Sequence, residues 1–246
     1  MQYHDLEDKE IETEYGVVHY KFYYGESDSL VLVHGLAADS RSWSRFIEFL
    51  PENYTVCIPD LLGHGTSEAP RINYNVEIQK DILHLIIKRE SIKGTFMMGH
   101  SYGGWITAAY ASTYSDVNGI ILEDAGGLRS FFDEVRGTEK REQYKKELLK
   151  KALQLNAKEY VIKSILEDEF TESELTPKQL SRIKIPALIL WGENDDVIPS
   201  KFAEVFNKEI TGSVVRIING GRHTSHYSNA QAVAALVTDF INGRLV

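Results

Sequence analysis

Cysteine is almost absent from this sequence, because Cys57 is the one cysteine among 246 residues. An intramolecular disulfide is therefore impossible, and folding does not require an oxidising compartment. Long apolar runs are also missing, since no stretch approaches the ~18 uninterrupted apolar residues that span a bilayer. Residues 1–14 are acidic and lack the basic-then-apolar pattern of a signal peptide. These absences predict a cytoplasmic protein without a membrane span.

Basic residues are fewer than acidic ones, 27 against 36, which gives a formal net charge of -9. Proteins that bind nucleic acids usually carry a basic patch or a high isoelectric point. The densest basic stretch, residues 140–151, is interrupted by Glu142 and Glu147, as is typical of a solvated helix face. We therefore expect no nucleic-acid partner, and a monomer or a homodimer that acts on a small molecule.

Short apolar runs alternate with segments of helical periodicity along most of the chain. Seven such runs predict strands, at residues 17–24, 29–33, 54–59, 95–98, 119–122, 187–191 and 214–218. Helices are predicted at residues 76–89, 105–114, 202–209 and 230–241. This alternation indicates an α/β fold with a mainly parallel sheet. The first two strands, joined by a short link, are predicted to pair antiparallel.

One long segment interrupts the alternation. Residues 128–183 contain no strand-like run and are rich in Lys, Glu and Leu. Apolar spacing predicts one amphipathic helix around residues 148–155 and a second around 160–166. Thr176 and Pro177 indicate an N-cap followed by proline at the first helical position. We predict a core at 1–127 and 184–246, with a helical insertion at 128–183 that has a functional reason.

The strongest chemical motif is Gly99-His100-Ser101-Tyr102-Gly103, which fits the pattern G-x-S-x-G. A predicted strand precedes it and a predicted helix follows it, as a nucleophile turn requires. The turn must be sharp so that the serine projects above the sheet, which explains the two glycines. Ser101 is thus the candidate nucleophile.

A serine hydroxyl needs an adjacent base, and the base needs a partner that holds its tautomer. Asp195 follows the predicted strand at 187–191, and His223 follows the last predicted strand. The chain order Ser, acid, His is the order used by one hydrolase architecture. These two residues are the candidate acid and base.

At this point the sequence resembles the α/β-hydrolase superfamily, in its lidded single-domain branch. The resemblance rests on five motifs in the expected order: His34-Gly35, the segment 60–67 (D-x-x-G-x-G-x-S), the serine turn, Gly192-x-x-Asp195-x-x-x-Pro199 and His223. It implies an eight-stranded, mostly parallel sheet with helices on both faces and a helical lid. It also implies an acyl-enzyme mechanism without metal or cofactor, with the backbone N–H groups of Leu36 and Tyr102 as the oxyanion hole.

Alternatives remain open for two of the three catalytic positions. Asp196 is adjacent to Asp195, and Asp124 follows the strand at 119–122, where some family members place their acid. His226 is an alternative base, although its neighbours favour the edge of a pocket. The spacing His223-x-x-His226 suggests a metal site, but no carboxylate or thiol has matching ligand spacing.

Candidate pocket residues follow from their types and their positions. They are Trp43, Trp105, Asp124, Phe131, Phe132 and His226. Large aromatic side chains suit an apolar pocket, although core packing uses them equally.

The resemblance implies hydrolysis of a carboxylic ester, a lactone or a thioester on a small-molecule acyl substrate. Related reactions are carbon–carbon bond hydrolysis and pyruvate elimination, which need cationic groups such as Arg129, Arg136 and Arg222. A third hypothesis is a non-catalytic sensor that uses the pocket to bind a small molecule.

Overall fold

A single eight-stranded sheet forms the centre of the protein. The structure, a computed structural model, describes residues 1–135, 139–168 and 173–245. In chain order the strands are β1 (Glu7–Thr13), β2 (Gly16–Tyr23), β3 (Ser29–Val33), β4 (Thr55–Pro59), β5 (Thr95–His100), β6 (Gly119–Glu123), β7 (Ala187–Gly192) and β8 (Val214–Ile218). Their order in space is β1-β2-β4-β3-β5-β6-β7-β8. In this spatial order, the six strands β4, β3, β5, β6, β7 and β8 run parallel, as the sequence predicted.

Five central strands are buried at every residue, namely β3, β4, β5, β6 and β7. Their continuous apolar sequences are what a parallel sheet covered on both faces requires. Alternate residues point to opposite faces of a strand. Accordingly, Val31 and Val33 belong to one apolar core, whereas Leu30 and Leu32 belong to the other.

The antiparallel edge of the sheet differs from the prediction. The expected pairing of residues 17–24 with 29–33 is wrong, because β2 pairs with β1 and β4 and β3 lies between β4 and β5. β1 is not among the strands predicted from the sequence, because this edge strand buries only Ile11 and is otherwise mostly charged. Charged side chains are common on edge strands, where they discourage pairing with another chain.

Helices cover both faces of the sheet. They are α1 (Ser44–Ile47), α2 (Val76–Arg89), α3 (Tyr102–Thr113), α4 (Arg129–Val135), α5 (Glu139–Gln154), α6 (Glu159–Asp168), α7 (Pro177–Leu180), α8 (Lys201–Glu209), α9 (Ser225–Ser228) and α10 (Ala230–Ile241). Short 3-10 helices occur at Tyr3–Asp5 and Ser40–Trp43. The larger apolar core packs α2, α3 and α8 against one face, and the second packs α1 and α10 against the other. Among the described residues, no helix has both the length and the apolarity to cross a bilayer.

Helices α4 to α7 lie between β6 and β7, where the sequence predicted a helical insertion. The predicted cap of α7 is confirmed, since the Thr176 hydroxyl accepts from Gln179 N and Pro177 begins the helix. Leu148, Leu149 and Ala152 of α5 pack with Ile162 and Leu166 of α6. The division of the chain at 128 and 183 stays a prediction.

The start of the insertion is bonded to a later segment of the same insertion at Gly127. Its carbonyl accepts from Leu175 N at 2.7 Å, and Leu128 forms a β-bridge with Leu175. Gly127 has a φ of 89°, and a Cβ there would lie 2.2 Å from Cγ of Trp105. Only glycine therefore fits this position.

We predict that Gly127→Ala lowers the free energy of unfolding by about 3 kcal/mol, through backbone strain and overlap with the Trp105 ring. Gly126→Ala is the matched control, because its Cβ would meet no atom closer than 3.6 Å. Urea unfolding followed by tryptophan fluorescence measures both. Equal stabilities of the two variants would contradict the prediction.

Candidate active site

Ser101 occupies a strained turn between β5 and α3. Its backbone has φ 54° and ψ -113°, outside the regions that L-residues favour. A Cβ on Gly99 would lie 2.1 Å from the Gly103 carbonyl oxygen, and one on Gly103 would lie 2.2 Å from the Val33 carbonyl oxygen. The two glycines of the motif are therefore required by close backbone packing, which lets β5 pass directly into α3.

The structure brings the three predicted catalytic side chains into one hydrogen-bonded chain. His223 Nε2 lies 3.0 Å from Ser101 Oγ, and His223 Nδ1 lies 2.9 Å from Asp195 Oδ2. The Asp195 side chain is fully buried, whereas that of His223 is 15% exposed. A neutral His223 with its proton on Nδ1 donates to Asp195 and accepts the hydroxyl proton of Ser101. This tautomer is the one that a general base requires.

The acid loop holds Asp195 in this orientation. Its Oδ1 accepts the backbone N–H groups of Val197 and Ile198 at 2.8 and 3.0 Å. The neighbouring Asp196 is exposed, and the structure does not bring it to His223. Asp124 is buried beside the acid loop, but its Oδ1 accepts Gly192 N at 2.8 Å rather than the His223 ring. Of the three candidate acids, Asp195 is the one in contact with His223.

The two residues predicted for the oxyanion hole, Leu36 and Tyr102, both line the cavity beside Ser101. A neutral imidazole holds the loop that carries Leu36. His34 Nδ1 donates to the Gly35 carbonyl at 2.8 Å, and its Nε2 accepts Leu61 N at 3.0 Å. Burial lowers the pKa of His34, so this tautomer stays uncharged.

His100 connects the nucleophile turn to the base loop. Its Nε2 donates to the backbone carbonyl of His223 at 2.5 Å. Burial, with the nearby imidazoles of His226 and His223, holds the pKa of His100 well below its usual value. His100 is thus a neutral donor that supports the loop carrying the base.

The predicted pocket residues divide into two groups. Trp105, Phe131 and Phe132 line the cavity above Ser101, as expected. Trp43, Asp124 and His226 were expected there too, but all three are buried behind the triad and are not among the lining residues. For Trp43 and His226 the reason is their packing in the interior, with ring centroids 4.3 Å apart.

His226 is bound to a buried carboxylate rather than to the cavity. Glu123 accepts the His226 backbone N–H at 2.6 Å and its ring Nδ1 at 2.7 Å. The Glu123 side chain is fully buried, and that of His226 is 2% exposed. This contact attaches the helix after His223 to the end of β6, and it holds the His226 ring on Glu123.

The cavity has a volume of about 350 Å³ and is mostly apolar. Much of its wall comes from one face of α5, which the sequence analysis predicted to be helical without assigning it to the pocket. The lining residues are Tyr144, Leu148, Lys151 and Ala152 of α5 and Leu155, which directly follows the helix. Their spacing of three or four residues is the signal that groups them on one side of a helix.

The arginines proposed for an anionic substrate do not line this cavity among the described residues. Arg129 forms an ion pair with the buried Glu174, Nε to Oε2 at 3.1 Å. Arg222 is exposed, and Arg136 lies outside the described residues. Lys151 is the cationic residue found in the described part of the lining.

In the described part of the chain, His100, Asp124 and His223 bring possible ligand atoms within 4.8 Å of one another. Both ring nitrogens of His223 already contact Asp195 and Ser101, and Nε2 of His100 contacts a carbonyl. These contacts form a hydrogen-bonded catalytic arrangement, and they do not present the converging lone pairs that a metal ion needs.

This fold and this arrangement of a serine, a histidine and an aspartate define the class of α/β-hydrolases. The sequence model described as the Alpha/beta hydrolase family matches residues 30–236. Because this range is most of the chain, the protein belongs to that family.

Individual relatives are more distant. A stretch of 105 residues is 32% identical to an uncharacterized protein of Mycobacterium tuberculosis, covering 42% of this chain and 31% of that protein. The match thus spans less than a third of this relative. Lipase 3 of a Moraxella species is 27% identical over 255 residues, with 89% of this chain and 80% of the lipase covered. The solved structure of the esterase EaEST from Exiguobacterium antarcticum has a TM-score of 0.82 at 21% identity. The match covers 96% of this chain and 100% of the esterase chain.

We predict that His226→Leu lowers the free energy of unfolding by about 3 kcal/mol, since it leaves the buried Glu123 without its ring donor. Ser228→Ala, on the exposed side of the same short helix, is the control and is expected to change stability by less than about 0.5 kcal/mol. Urea unfolding measures both. A His226→Leu protein as stable as the wild type would show that the pair contributes nothing.

Proposed function

We propose that this protein is a serine hydrolase that cleaves carboxylic esters through an acyl-enzyme. The observation that carries the proposal is the chain from Ser101 Oγ to His223 at 3.0 Å and from His223 to Asp195 at 2.9 Å. A serine becomes a useful nucleophile when such a base is in hydrogen-bond contact with it. The names of two relatives, a lipase and an esterase, agree with ester hydrolysis.

In the first half of the reaction, Ser101 Oγ attacks the acyl carbon while His223 Nε2 takes its proton. Asp195 stabilises the imidazolium that forms. The carbonyl oxygen becomes an oxyanion, which in this proposal is bound by the backbone N–H groups of Leu36 and Tyr102. Such donors act strongly because they are already oriented, and loss of one costs about 10²–10³ in rate. The carbon–oxygen bond then breaks as His223 protonates the leaving alcohol.

In the second half, water replaces the alcohol. His223 takes a proton from this water, which attacks the acyl carbon of the ester formed on Ser101. Collapse of the second tetrahedral intermediate releases the carboxylic acid and returns the proton to Ser101. The mechanism uses the same three side chains twice, and no other proton carrier is required.

The cavity indicates the acyl part of the substrate. Trp105, Phe131 and Phe132 line the cavity that Ser101 also lines, together with apolar residues of α5. Apolar walls favour burial of a hydrocarbon chain at about 25 cal/mol per Å². We therefore propose small to medium apolar acyl groups as substrates, with residues 128–183 acting as the lid that encloses them.

Carbon–carbon hydrolysis and elimination are less well supported. Anionic substrates of that kind need cationic groups close to the reacting atoms. No arginine of the described residues lines the cavity, and Lys151 is the single lysine in the described lining. A pure sensor has no use for a serine in contact with an oriented base. Ester hydrolysis is therefore the reaction that fits these residues best.

The proposal predicts that Ser101→Ala lowers kcat/KM for p-nitrophenyl esters by a factor of about 10⁴ or more. Ser112→Ala is the control, because this serine lies at the far end of α3 and bonds only within the helix. The kcat/KM of Ser112→Ala is expected to lie within about twofold of the wild-type value. Absence of Ser101-dependent turnover for any acyl length would refute ester hydrolysis.

A second prediction concerns acyl length. Leu148→Trp is expected to lower kcat/KM for the p-nitrophenyl ester of octanoic acid about tenfold relative to that for the acetate ester. The indole ring fills space that the longer acyl chain needs. Leu153→Trp, on the same helix, is the matched control, because Leu153 is 42% exposed and does not line the cavity. If both tryptophans change the preference equally, this face of α5 does not form the acyl site.

A further inference from the structure

Asp124 occupies a buried position just behind the catalytic acid. It follows β6 with a φ of 46°, and its backbone N–H donates to the Leu190 carbonyl of β7. Its Oδ1 accepts Gly192 N at 2.8 Å, at the point where β7 passes into the loop that carries Asp195. The side chain is therefore held between two strands with no access to solvent.

The second carboxyl oxygen of Asp124 has an unusual environment. Oδ2 is fully buried, and no donor from the described residues reaches it. His100 is close, but its Nε2 hydrogen goes to the His223 carbonyl. A buried carboxylate oxygen without a donor is costly, whereas a protonated one needs only an acceptor.

Asp195 supplies that acceptor. The two carboxyl groups are neighbours at the His223 ring: Asp195 Oδ2 lies 2.9 Å from Nδ1, and a carboxyl oxygen of Asp124 lies within 4.8 Å of a ring nitrogen. Their side chains are close enough to share a hydrogen bond, which raises the pKa of Asp124. Asp195 Oδ2 receives one donor, from His223, so this oxygen has a second lone pair available. Two carboxyl groups can make such a contact only if one of them carries a proton.

The surrounding charges decide which carboxyl keeps the proton. Burial, together with the negative charges of Glu123 and Asp195, raises the pKa of Asp124 to about 9. By contrast, Asp195 is stabilised as an acceptor by three N–H donors, from Val197, Ile198 and the His223 ring. His226 contacts Glu123, so its ring donor does not compensate a charge on Asp124.

We propose that Asp124 is a neutral carboxylic acid that donates a hydrogen bond to Asp195 and thereby positions the triad acid. The proposal rests on the proposed function for its catalytic consequence, although not for the proton itself. Asp124 thus acts through Asp195 without touching the substrate. It also keeps a further negative charge out of the base's surroundings.

Asp124→Asn tests the proton without any assay of activity. The carboxamide preserves both contacts and suits a positive φ, but it cannot titrate. Folded wild type holds a proton that the unfolded chain releases above its ordinary pKa near 4, so wild-type stability declines as pH rises towards 9. We therefore expect the Tm of Asp124→Asn, relative to wild type, to rise steadily between pH 5 and pH 8.5. A difference that is flat or falling over this range would mean that Asp124 is ionised, and would overturn the proposal.

The positioning role is tested by the rate at which a fluorophosphonate labels Ser101. Asp124→Asn is expected to label within about twofold of wild type, and Asp124→Gly about tenfold more slowly, because glycine accepts the positive φ but lacks the donor. Equal rates for wild type and Asp124→Gly would overturn the role, as would a tenfold loss in Asp124→Asn. If Asp124→Gly does not fold, Asp124→Ala takes its place with the same expected tenfold loss, and the Tm difference of the asparagine variant still decides the protonation state.

These measurements separate the proposal from the proposed function. A pH-dependent Tm difference with normal labelling, but no ester turnover, would reject ester hydrolysis and keep the role of Asp124. Ester turnover with a flat Tm difference would keep ester hydrolysis and reject the role of Asp124.

Discussion

The strained turn at Ser101 is the constraint on which the rest of the site depends. A non-glycine residue with a positive φ costs about 1–2 kcal/mol and persists only where its surroundings fix it. Here Ser101 N donates to the Glu123 carbonyl, while the Ser101 carbonyl accepts N–H groups from Trp105 and Gly126. The strain is thus balanced by contacts to α3 and to the segment after β6, which together aim the hydroxyl away from the sheet.

The end of β6 contacts all three loops that carry the proposed catalytic residues. The Glu123 carbonyl fixes the nucleophile at Ser101, and the Glu123 side chain binds His226, three residues after the base. The next residue, Asp124, binds Gly192 at the start of the acid loop. Two adjacent acidic residues therefore set the relative positions of serine, histidine and aspartate, although neither touches His223 in the way that the triad acid does. Both side chains are buried, and a buried acidic group fixes its hydrogen-bond partners more rigidly than one in solvent does.

Sequence patterns predicted the parts of the molecule whose chemistry is local. The predicted helix spans at 76–89 and 230–241 match α2 and α10, and the continuous apolar runs match the buried strands. The motif residues around Ser101 were identifiable because a sharp turn demands glycine at fixed offsets. The edge strand β1 was not identifiable because its exposed, charged residues do not form an alternating apolar pattern. The cavity wall on α5 was not identifiable because tertiary packing decides which face of that helix meets the cavity. Trp43 was misplaced for the same reason, since an indole ring suits a core as well as a pocket.

Charge balance explains why so many ionisable groups can be buried within one site. Each uncompensated charge in the interior is costly, so groups there either pair or become neutral. His100 and His34 take the second course, because burial lowers their pKa values. Asp124 does the same in the opposite direction, because burial and neighbouring carboxylates raise its pKa. With these groups uncharged, Asp195 is the acceptor that faces the imidazolium which the proposed reaction forms on His223. A neutral environment with Asp195 as the oriented partner stabilises the positive charge on His223 when the proposed reaction creates it. The same environment does not favour a His223 that is charged before the reaction begins.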